Sequence, residues 1–109
     1  MSLADVLGPA LLKSQSVSVN GREVTVRELN AGERGEIIAM FREQKNIAEI
    51  HARIVSMVAL KDGKPAFTEK DVPELLKYPG AVIQAIADKA LELSAMGGDE
   101  EKKSRRGGG

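Results

Sequence analysis

The chain has 109 residues, 42% hydrophobic and 29% charged, the balance of one small globular domain rather than of a disordered segment. Sixteen basic and sixteen acidic residues cancel, which removes the long-range attraction to phosphate on which nucleic-acid binders rely. The absence of cysteine excludes disulfides, thiolate zinc sites and thiol catalysis.

At the start, Ser2-Leu-Ala-Asp5 can cap a helix from Leu3 to about Lys13, with Leu3, Val6, Leu7, Ala10 and Leu11 on one face. Gly8-Pro9 weakens it, because proline inside a helix costs about 3 kcal/mol. Residues 1–15 therefore read as a short helix, as two half-turns, or as an arm that orders only against a partner. The domain proper is expected over residues 16–96, followed by a disordered tail over 97–109.

A β-hairpin follows. Asn20-Gly21 favours a type I′ turn, and a two-residue loop places Val17 opposite Val24. Alternation then puts Val17, Val19, Val24 and Val26 on one face with Arg22, and Ser16, Ser18, Glu23, Thr25 and Arg27 on the wet one. Two strands alone are marginal in water, so the valine face must lie on helices or on strands from another subunit, and the open strand edges are a candidate assembly surface. Asn30-Ala-Gly-Glu33 reads as a capping box opening a helix from Ala31 to about Lys45, with Ile37, Met40, Phe41 and Gln44 at helical spacing. Asn46-Ile-Ala-Glu49 repeats the pattern before a second stripe of Ile47, Ile50, Ile54, Met57 and Val58. Two helices and one long bent helix both fit this stretch.

Leu60-Lys-Asp-Gly-Lys-Pro65 is a turn by composition, and Thr68-Glu-Lys-Asp71 caps a short helix containing Val72, Leu75 and Leu76. Tyr78-Pro79-Gly80 stops that helix. The last amphipathic helix runs from Ala81 to Met96 through Val82, Ile83, Ile86, Ala90 and Leu93. The fold class is thus α+β, mainly α: one N-terminal hairpin packed on four to five short helices. The core must be aliphatic, since Phe41, Phe67 and Tyr78 are the only aromatics. Fully burying one large aliphatic side chain contributes roughly 1.5–3 kcal/mol, so about fifteen of them support folding with little to spare.

Candidate chemistry is sparse. His51 is the only histidine, and Glu49 is its nearest carboxylate in sequence, which is short of a metal-ligand set. Asp62-Gly63 lacks the alternating carboxylates of a calcium loop and reads as a turn. Gly32 and Gly35 bracket a helix start, but Glu33 and Glu36 would repel a phosphate there, and no Walker or dinucleotide spacing is present. No motif builds a nucleophile around Ser14, Ser16 or Ser18. Neither enzyme activity nor a cofactor or metal is expected. The tail's Lys102, Lys103, Arg105 and Arg106 follow Asp99, Glu100 and Glu101, so a self-compensating solvated segment is expected, with no nucleic-acid or membrane partner. No apolar run approaches the roughly 18 residues of a membrane span, and the start lacks the pattern of a signal peptide.

At Val24-Thr-Val-Arg-Glu-Leu-Asn-Ala-Gly-Glu-Arg34 the sequence resembles the tail assembly chaperones of long-tailed, siphovirus-like bacteriophages. Lys61-Asp-Gly-Lys-Pro-Ala-Phe-Thr-Glu-Lys-Asp-Val72 resembles the family's turn into its third helix, and Ala90-Leu-Glu-Leu-Ser-Ala-Met-Gly97 its closing helix before a charged tail. The resemblance spans about Val17 to Gly98 and rests on order, spacing and texture. It implies a protein of the host bacterial cytoplasm, absent from the mature virion, that binds the tape measure protein and keeps it soluble during tail assembly. It also implies a longer form, made by a minus-one ribosomal frameshift, that recruits tail tube protein, and this chain resembles the short form. Arg106-Gly107-Gly108 can be encoded across a run of guanines on which a ribosome slips; the plain alternative is a flexible end.

Binding of this kind needs apolar grooves and no catalytic group. Met40, Met57 and Met96 can either repack around varied partner segments or simply fill the core. Ile37, Phe41, Ile50 and Ile54 are the candidate partner-binding residues and equally candidate interior residues. Self-association through the hairpin edge or helix grooves is also open. The rival readings are a small nucleic-acid-binding regulator and a structural subunit of the virion tail.

Overall fold

The computed structural model describes residues 1–95. The expected disordered tail, its basic cluster, its terminal glycines and Met96 lie outside them. The described residues form helix α1 (Leu3–Leu7), strands β1 (Ser14–Val19) and β2 (Arg22–Arg27), helices α2 (Ala31–Arg42) and α3 (Ile47–Val58), and strands β3 (Ala59–Lys61) and β4 (Lys64–Pro65). A 3-10 turn (Glu69–Asp71) leads into α4 (Val72–Leu75), and α5 (Gly80–Leu93) closes the domain. The fold is α+β, with the N-terminal hairpin laid on helices.

The hairpin pairs in the expected register, with Val17 opposite Val24 and Val19 opposite Arg22. Asn20 and Gly21 both take positive φ, 51° and 70°, the conformation a type I′ turn demands. The valine face meets α5: Val26 is fully buried, and Val17, Val19 and Val24 pack against the core it joins.

The hairpin does not stand alone, however. A second hairpin extends it into a four-stranded antiparallel sheet of order β1-β2-β3-β4. Asp62 and Gly63, φ 54° and 77°, repeat the type I′ geometry of the first turn, while Thr25 pairs with Leu60 and Val26 with Ala59. Composition identified the turn but not its strands, because three and two residues are too short to show alternation.

α2 and α3 are two helices. Gln44 takes φ 56° after Arg42, the Lys45 N–H donates to the Met40 carbonyl at 3.1 Å and the Gln44 N–H to that of Phe41 at 3.0 Å. This is a Schellman stop built on glutamine in place of glycine. The expected caps form at Ser2, Asn30 and Thr68, each with its acidic residue three positions on returning the bond. Asn46 caps α3 through the Ala48 N–H at 2.8 Å. α1 ends at Leu7, where Gly8 turns to φ 79°, well short of Lys13.

Arg27, expected on the wet face, is instead a tie between elements. Its guanidinium donates to both Glu33 oxygens at 2.7 and 2.9 Å, to the Glu28 carbonyl at 2.9 Å and to the Met57 carbonyl at 2.7 Å. The α2 capping box places Glu33 there, and the end of α3 presents the Met57 carbonyl. The Ser94 hydroxyl, at the end of α5, accepts from the Leu29 N–H at 2.8 Å and donates to the Ala90 carbonyl. These two ties fix both ends of the β2–α2 connection.

Candidate functional site

Leu75 sits on the single turn of α4 and is pulled into the core, where it is 4% exposed. A one-turn helix cannot bury all its sides, so its neighbours face outward: Leu76 is 44% and Tyr78 58% exposed. The Tyr78 N–H still caps the turn on the Leu75 carbonyl at 3.1 Å, and Pro79 then redirects the chain into α5. Tyr78 is thereby held at the corner between α4 and α5.

Two apolar depressions flank that corner. The larger, about 640 Å³, runs between the hairpin tip at Val19 and Val24, the β3–β4 region at Leu60 and Phe67, and the α4–α5 wall of Leu75, Tyr78, Val82, Ile83 and Ile86. The smaller, about 380 Å³, is lined by Ile47, Ala48 and His51 of α3 together with Leu75, Leu76, Tyr78 and Ile83. Leu75, Tyr78 and Ile83 line both, so the two adjoin as a divided apolar trough with Tyr78 on the dividing wall. Arg22, Glu23 and Lys61 supply charges of both signs along the larger depression.

Such a surface binds by burying apolar area. Ile47, 53% exposed, joins Leu76 and Tyr78 as large apolar side chains left open beside it. Each is already about half covered, so full burial would contribute about half of the roughly 1.5–3 kcal/mol of a whole large apolar side chain. An amphipathic helix fits the chemistry, since it presents anchors once per turn on one face.

The four sequence candidates divide. Ile37, Ile50 and Ile54 are at most 1% exposed and lie in the interior, whereas Phe41 is 42% exposed on the outer side of α2 and lines neither depression. Met40 and Met57 are half-buried and pack against the core. His51 is half-buried beside the smaller depression, and among the described residues no three His, Asp or Glu side chains gather as metal ligands. Glu33, at the glycine-flanked helix start, is engaged by Arg27 and by the Asn30 N–H at 3.0 Å. The Arg27 hydrogen bonds hold its carboxyl below the ordinary range, with the Asn30 N–H and the Arg27 charge acting the same way against burial.

Sequence reasoning passed over Tyr78 and Leu76 because periodicity assigns helix residues to a face, and α4 is too short to have one. The available signal was a large aromatic residue next to a Pro-Gly break, where the chain must turn outward. No protein-family model matches this chain, and neither a curated protein nor a solved structure matches it.

Proposed function

We propose that the protein is a tail assembly chaperone of a long-tailed bacteriophage, which binds the tape measure protein in the host cytoplasm and keeps it soluble until the tail tube assembles around it. The trough around Tyr78 carries this reading: it is apolar, open, and flanked by exposed Ile47 and Leu76, the chemistry an amphipathic client helix needs. The resemblance at Val24–Arg34, Lys61–Val72 and Ala90–Gly97 supplies the identity of the client. Successive turns of such a helix bring an anchor every 5–6 Å or so, and one anchor in each depression would straddle Tyr78. A longer frameshifted form would add the contact to tail tube protein.

The test is co-expression with the tape measure protein, followed by its soluble fraction and by capture at moderate and high salt. Wild-type chain is expected to retain one very long helical client at high salt. Leu76→Asp and Tyr78→Asp are expected to keep the wild-type circular dichroism and lose the client, whereas Ile54→Asp, in the core, is expected to unfold the domain. A client that stays insoluble with wild-type chain, nucleic acid recovered only at low salt, or this protein in purified virions would overturn the reading.

A further inference from the structure

Among the described residues, the sheet leaves one edge of β1 open. In the hairpin, Val19 and Arg22 flank a two-residue turn and so form a hydrogen-bonded pair; alternation makes Val17–Val24 and Gln15–Val26 the next ones. The Glu28 N–H donating to the Lys13 carbonyl at 2.8 Å continues the same ladder. The N–H and C=O groups of Ser14, Ser16 and Ser18 therefore point away from β2, and β1 is the outermost strand of the sheet.

The two edges of the sheet differ in kind. β4 is two residues long, Lys64 and Pro65, and carries both a charge and a proline, the usual devices against pairing. β1 runs six residues, Ser-Gln-Ser-Val-Ser-Val, with no charge and no proline, and its residues keep one unbroken register. Val17 and Val19 point to the core side yet remain half-exposed, since an edge strand leaves their flank uncovered.

We infer that the β1 edge pairs with β1 of a second copy, antiparallel about a two-fold axis at Ser16. This register sets Ser14 against the partner's Ser18 and Ser16 against the partner's Ser16, so all three outward residues are used and about six hydrogen bonds close. The copy is the fitting occupant because an uncharged strand meets itself without like-charge repulsion, and because a two-fold pair is closed and leaves no further edge of this kind. On the core side Val17 falls beside the partner's Gln15 and Val19 beside the partner's Lys13, whose aliphatic stem covers it. The arm preceding Lys13 then emerges level with the partner's Val19 and Asn20, two residues lining the larger depression. That arm buries none of its helical residues within its own chain.

The chain has no cysteine, so Ser14→Cys, Ser16→Cys and Ser18→Cys each carry one nitroxide per copy. Spin–spin broadening is expected to be strongest at 16 and weaker, by equal amounts, at 14 and 18. Sedimentation of unlabelled full-length chain is expected to show a monomer–dimer equilibrium. Ser16→Pro deletes only outward N–H groups, two per dimer, and should weaken that equilibrium roughly tenfold or more. Ser16→Lys, which opposes like charges across the axis without touching the backbone, should weaken it in the same direction. A chain that stays monomeric at all concentrations, a dimer indifferent to both substitutions while circular dichroism shows them folded, or broadening that does not peak at 16 overturns the inference. None of these outcomes depends on what the trough binds.

Discussion

Arg27 shows how one side chain can hold several elements. Its fork satisfies Glu33 with two hydrogen bonds and gives two more to carbonyls of the β2–α2 connection and of α3. Both side chains are largely covered, 17% and 20% exposed, so the pair is screened less than a surface ion pair. Arg27→Ala leaves the largely covered Glu33 carboxylate with the Asn30 N–H alone and takes the donor from the Met57 carbonyl, and is expected to cost about 2–3 kcal/mol in a urea titration. Glu33 also sets an acid limit. Its folded carboxyl lies below the ordinary glutamate range, so its contribution is present above that range and is lost as pH falls through the folded value. The melting temperature should fall as pH drops below about 4.5, and Glu33→Gln should flatten that part of the profile. Sequence alone did not expose this role. Alternation correctly placed Arg27 opposite the valines, but the end of α3 reaches that face through the β2–β3 pairing, which no local pattern encodes.

At the level of elements, caps and turns were legible because their chemistry is local. Asn20-Gly21, Asn30 with Glu33 and Thr68 with Asp71 all did what those residue types do in isolation. The break between α2 and α3 was only half legible: Asn46 marked the start of α3, but glutamine at φ 56° is an unusual stop for α2. An L-residue there costs roughly 1–2 kcal/mol that glycine avoids, offset in part by glycine's greater freedom when unfolded. Gln44→Gly is therefore expected to raise stability by about 0.5–1 kcal/mol in denaturant titrations; a loss would show that the Gln44 side chain matters more than its backbone. α1 is the opposite case. A five-residue helix with a complete capping box still buries nothing, so removal of Met1–Leu12 should leave the monomer's melting temperature within a degree or two.

Across the whole molecule, the hydrophobic pattern located the core and misplaced the surface. Ile37, Ile50 and Ile54 recur at helical spacing because they face inward, and periodicity measures that facing. The trough is formed where periodic elements stop: at a hairpin tip, a one-turn helix and a Pro-Gly corner brought together from Val19 to Ile86. Residues so distant in sequence announce a shared surface only once folded. The tie between Leu29 and Ser94 spans 65 positions, and α5, the last described element, is the helix that covers the first hairpin. Order of synthesis and order of closure thus run in opposite directions. The hairpin can form as soon as it leaves the ribosome, yet its valines stay open to water until nearly the whole domain has been made. A nascent chain halted before Gly80 would present Val17, Val19, Val24 and Val26 bare, and shortening this protein from its C-terminal side should convert a folding domain into an aggregating one within the length of a single helix.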